Sequence, residues 1–128
     1  MRDRPQGHEL LAIAARTFRD ELLPALPEEK KYAGLMLLNA LSVAERQLAN
    51  GDGALHAEAE ALEDALGLET AGDTSLPARL ATLNRALAGR IRKGAADDDP
   101  SLQALLWAIT LQKVRESSPR YLRTEGIE

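Results

Sequence analysis

The chain has 128 residues, a formal charge of −4 from 16 basic and 20 acidic side chains, four aromatic residues and no cysteine. That length can bury about 65–70% of the unfolded surface in one core, and the missing cysteine excludes disulfides, thiolate metal sites and cysteine nucleophiles. The 22 Ala and 23 Leu stand against two Val and four Ile, a ratio that favours helices over strands.

The first helix is predicted over residues 6–22. Leu10, Leu11, Ala14, Phe18 and Leu22 fall on one face at helical spacing,. Pro24 and Pro27 end it, and the apolar connector Leu22–Pro27 is expected to pack. The second helix is predicted over residues 28–50, with Gly51 as its stop. The third runs over residues 54–66, with Leu55, Ala59, Leu62 and Leu66 on one stripe and a loop between Gly67 and Gly72. The fourth runs over residues 76–93, with Thr74 or Ser75 as N-cap, Pro77 in the first turn and Gly94 as stop. The fifth spans residues 100–116: Asp99 before Pro100 is a capping carboxylate next to a proline suited to the first helical position. Pro119 is read as its end, followed by an extended tail whose Tyr121 and Leu122 are expected to dock back on the bundle or on a second chain.

Two helices carry more apolar surface than one face needs. On the second, Leu37, Leu41, Ala44 and Leu48 form one stripe, and Tyr32, Met36 and Val43 another. On the fifth, Leu102, Leu105, Leu106 and Ile109 oppose Trp107, Leu111 and Val114. A helix apolar on two sides is central to its bundle or sits in an interface. The second and fifth helices are therefore expected to be the most central. Trp107, Leu111, Val114, Tyr121 and Leu122 are the candidate interface of a homo-oligomer, a dimer in the simplest case.

Charge is segregated. Residues 52–73 hold seven acids and no base, whereas residues 79–93 hold five bases and no acid. Opposite signs on neighbouring helices can steer packing or a partner; they can equally be solvated faces with weak surface pairs.

Catalytic and metal chemistry find little support. His8 and His56 are the only histidines, and there is no G-x-S-x-G elbow or Gly-rich phosphate loop,. His56 and Glu60 share a helix face but need a further ligand to hold a metal. The basic fourth helix splits its arginines over two flanks, and the chain is acidic overall, so no nucleic-acid partner is expected. No cofactor, metal or enzymatic activity is predicted. The longest apolar run, Leu35–Leu38, is far from the roughly 18 residues of a membrane span. No apolar signal segment follows the charged Met1–Arg4, so a soluble cytoplasmic protein without membrane contact is the expectation.

The most informative polar residues lie on the second helix. Asn39, Ser42 and Arg46 fall within about 60° of one another, and Tyr32 extends the line. Inside a bundle such groups must be hydrogen-bonded. They either form a structural network or line a small cleft for a carboxylate- or phosphate-headed ligand, with Asn84 on the fourth helix as a further member.

The chain also carries Asp3-Arg4-Pro5 before the first helix, Leu22-Leu23-Pro24-Ala25-Leu26 after it and Asn39-Ala40-Leu41 in the second. Leu83-Asn84-Arg85-Ala86-Leu87 follows, with Arg90-Ile91-Arg92 and Pro119-Arg120-Tyr121-Leu122. In this order it resembles an uncharacterised bacterial family of small all-helical proteins, a domain of unknown function. Genes of that family often lie beside acyl-CoA dehydrogenases and aminoglycoside-phosphotransferase-like kinases. The resemblance covers nearly the whole chain and implies a non-enzymatic accessory role near acyl-CoA or phosphotransfer metabolism. It supplies no catalytic residues. The expectation is an all-α protein: a single five-helix domain over residues 1–128, mostly antiparallel, with an extended C-terminal tail.

Overall fold

The computed structural model describes residues 3–70 and 75–127. The elements are α1 (Gly7–Thr17), continued by a π turn (Phe18–Leu22), two 3-10 turns (Leu23–Ala25 and Glu28–Lys30), α2 (Lys31–Asn50), α3 (Gly53–Leu66), α4 (Leu76–Arg92), α5 (Pro100–Ser117) and α6 (Pro119–Glu125). The fold is all-α, with no strand among the described residues. Met1, Gly72 and Thr74, and residue 73 at the end of the acidic stretch, lie outside the described residues. The chain divides into two compact units, Met1–Gly51 with Glu116–Glu128, and Asp52–Arg115.

In the first unit, α1 and α2 form an antiparallel hairpin. A Cβ on Gly7 would lie 3.5 Å from Leu48 Cδ1, and at the other end one on Gly34 would lie 3.5 Å from Phe18 Cζ. Pro24 sits in the first turn of its 3-10 segment, where a proline N–H is not needed. The connector packs as expected. Leu23 and Leu26 are half-buried, and each places a methyl 2.7 Å from where a Cβ on Gly34 would stand. The absent side chain at Gly34 is what lets the connector close on α2. Lys31 Nζ donates to Leu23 O at 3.0 Å and Pro24 O at 3.2 Å, satisfying carbonyls that the turn leaves open.

The expected extended tail is instead a helix. Pro119 opens α6 with Ser118 before it, and Gly126 closes it at φ 64. Ile127 N donates to Leu122 O at 3.1 Å, the bond that ends a helix on a left-handed glycine. A proline can start a helix as readily as stop one, because its missing N–H is unneeded in the first turn. Leu122, on this helix, is 1% exposed.

The second unit holds the main core. Ala59, Leu62 and Leu66 of α3, Leu83 and Leu87 of α4, Ala96, and Leu102 of α5 are buried together. Leu76, Leu80, Leu105, Leu106 and Ile109 flank them. The expectation that the second and fifth helices would be most central is therefore corrected. Gly34 is the buried residue of α2 and Leu102 that of α5, while α3 and α4 bury five apolar side chains. A second apolar face on α2 and α5 reflects surface left open, not depth in the core. Asp99 Oδ1 accepts from Leu102 N at 3.1 Å and Ser75 Oγ accepts from Ala78 N at 3.4 Å. These are the caps read from the sequence for α5 and α4.

Candidate functional site

The polar residues singled out on α2 do not converge on a shared point. Tyr32 is 75% exposed and Asn39 is exposed. Ser42 Oγ donates to Leu38 O at 2.9 Å, within its own helix. Arg46 Nε donates to Glu116 O at 2.6 Å, tying α2 to the residues that lead into α6. Asn84 belongs to the other unit, where its Nδ2 donates to Leu80 O at 2.9 Å. The bonds of Ser42, Arg46 and Asn84 go to separate backbone carbonyls.

The candidate interface residues are divided. Trp107 is 58% and Tyr121 54% exposed, while Leu111 and Val114 are half-buried. Leu122 is already covered by its own chain and has no surface left to give to a partner. Trp107 thus presents an indole on the outer side of α5 with two apolar neighbours, one turn and two turns further along,.

The segregated charges of α3 and α4 meet in one cluster. Arg79 Nη2 lies 2.7 Å from Glu63 Oε2 and Arg79 Nε 2.8 Å from Oε1, a two-pronged pair,. Thr70 adds its backbone N–H at 3.2 Å and its hydroxyl on the same Oε1. The Arg79 bonds first, then those of Thr70, hold the Glu63 carboxyl down at about 2 against the opposing effect of desolvation. About three turns further along α4, Arg90 Nη1 and Nη2 donate to Ala65 O and Leu66 O at 3.0 Å each. A cation on the last carbonyls of a helix complements its dipole. Every oxygen here has its partner, so the cluster reads as a clasp joining α3 to α4.

Sequence periodicity did not disclose a groove between α3 and α5. It has a volume of about 290 Å³ and is lined by Ala54, Ala57 and Ala61 on one side and Leu105, Ala108 and Ile109 on the other. Glu58 and Gln112 complete the lining, and Lys113 Nζ lies 3.6 Å from Glu58 Oε1. The alanines keep the floor open where leucines would fill it. Their spacing of three to four residues was the available signal, but it also fits an ordinary buried stripe.

His56 and Glu60 are both exposed on α3. No group of three or more His, Asp or Glu able to hold a metal occurs among the described residues, and no helix there is long and apolar enough to cross a membrane. No curated protein and no solved structure matches the chain. A family model, however, matches residues 24–121, from the connector after α1 to Tyr121 in α6. The chain accordingly belongs to the family described as a domain of unknown function, DUF6285.

Proposed function

We propose that this protein is a helical interaction module that self-associates and serves as a non-enzymatic accessory to an enzyme of acyl-CoA or phosphotransfer metabolism. The observation that carries the reading is the open Trp107 on α5, 58% exposed with Leu111 and Val114 beside it. Exposed tryptophans are enriched among the residues that dominate binding at interfaces. The family resemblance, with its acyl-CoA dehydrogenase and kinase gene neighbours, supports the choice of partner class.

The test is a tagged pull-down from the native host, run in parallel with wild type and Trp107→Asp. Because Trp107 is open, the substitution should leave the helical content intact. A stoichiometric acyl-CoA or phosphotransfer enzyme held by wild type and lost with Trp107→Asp is the expected result. Recovery of the protein alone from a host making those enzymes would overturn the accessory reading.

The groove between α3 and α5 favours a second reading, a ligand-binding domain for an apolar chain. Its volume of about 290 Å³ sits at the lower end of the range of small-molecule sites. Ala57→Leu would fill it. Stabilisation by a medium-chain acyl compound that is present in wild type and absent in that variant would support this reading. No thermal shift with any chain length would end it.

A further inference from the structure

The first unit leaves much of its apolar surface uncovered. Among its described residues Gly34 and Leu122 are the buried ones, whereas Leu10, Leu37 and Leu48 are 54%, 49% and 58% exposed. These three belong to one face of the hairpin. A Cβ on Gly7 would touch Leu48, and Leu10 lies one turn beyond Gly7 on the same side of α1. On α2 the face is a line, Ala33, Leu37, Ala40, Ala44 and Leu48, spaced by four, three, four and four residues. That is close to the repeat by which helices pack side by side over a long seam. No charged residue interrupts it.

We infer that this α2 seam binds a second copy of the same chain across a two-fold axis beside Ala40, forming an antiparallel four-helix bundle from two α1–α2 hairpins. The order of large and small residues points to a copy and not to an unrelated helix. Under that axis Leu48 faces the partner's Ala33, and Leu37 faces the partner's Ala44, so each leucine meets a small residue. A two-fold contact requires such self-complementarity, and alternating large and small residues across facing positions is what lets layers interdigitate.

The size is adequate. The 20 residues of α2 span about 30 Å at 1.5 Å per residue. Two helices side by side are roughly 20 Å across, giving about 600 Å² per partner, and about 1,200 Å² in total is the lower edge of stable specific interfaces.

This inference rests on the proposal that the chain self-associates; it assigns that contact to α2 and leaves the Trp107 face of α5 to the enzyme partner. The test measures mass in solution by light scattering across micromolar concentrations for wild type, Leu37→Ala, Ala44→Leu and the double variant. Each single change breaks the match, leaving a void or setting leucine against leucine, and should weaken the dimer at least about tenfold. The double variant exchanges large for small on both sides of the axis and should recover most of that loss. Far-UV circular dichroism checks that each variant is helical.

The cysteine-free background supplies a second measurement that does not depend on stability. Ala40→Cys beside the axis should form an inter-chain disulfide under mild oxidation, much faster than Ala81→Cys on exposed α4. A dimer that ignores all three seam variants and shows no preference for crosslinking at position 40 would overturn the seam while leaving self-association standing. A monomer at every concentration would overturn both.

Discussion

Two helical glycines test the packing argument by the sign of one and the same substitution. Gly34→Ala puts a methyl 2.7 Å from Leu23 Cδ1 and 2.7 Å from Leu26 Cδ1. Carbon atoms rest at about 3.5–4.0 Å, so each leucine end must retreat by roughly 1 Å. Overpacking of this kind costs about 1–3 kcal/mol, and the helix preference for alanine returns about 1 kcal/mol. The leucine ends are flexible, which places the net loss near 1 kcal/mol. Gly89→Ala in α4 meets nothing within 4 Å and should gain the full helix preference, about 1 kcal/mol. Gly34→Val adds two further methyls at the crowded site and should lose about 3 kcal/mol or more. Urea unfolding followed by far-UV circular dichroism gives all three values. Equal stabilisation by Gly34→Ala and Gly89→Ala would refute the claim that the connector is closed onto Gly34.

Leu62 is fully buried in the α3–α4 core, so Leu62→Ala should cost about 3–5 kcal/mol in the same assay, against well under half of that for Leu55→Ala at the surface. The Glu63 carboxyl, held at about 2 chiefly by Arg79 and then by Thr70, lies below the about 4.3 of an unfolded glutamate. Its contribution is complete above that value and is lost as pH falls toward 2. Glu63→Gln should therefore lower stability at neutral pH and flatten its decline between pH 4 and 2, read from urea midpoints at each pH; an unchanged acid slope would count against the clasp. Gly126→Ala forces a side chain into φ 64 and should cost about 1 kcal/mol, visible as faster amide exchange in α6.

The helix limits were readable because the chain punctuates them chemically. Asp99-Pro100 and Ser75 cap their helices, and Gly51 and Gly67 end theirs at positive φ. The same grammar stands at Ser118-Pro119 and Gly126, but a proline marks either end of a helix and only the residues after it decide which. The groove was not legible because its width depends on how α3 and α5 diverge, and side-chain periodicity carries no tilt. Arg46 is visible as a polar residue between the two apolar stripes of α2. Its partner, the Glu116 carbonyl 70 positions away in sequence, is a backbone atom that no residue pattern announces.

The two arginines that grip the last turn of α3 also carry its register against α4. Arg79 and Arg90 both stand on α4 and reach α3 through their side chains, so the alignment of the two helices is fixed by the helices themselves. The α3–α4 pair thus brings its own alignment with it, as a part that design can lift whole into another helical scaffold.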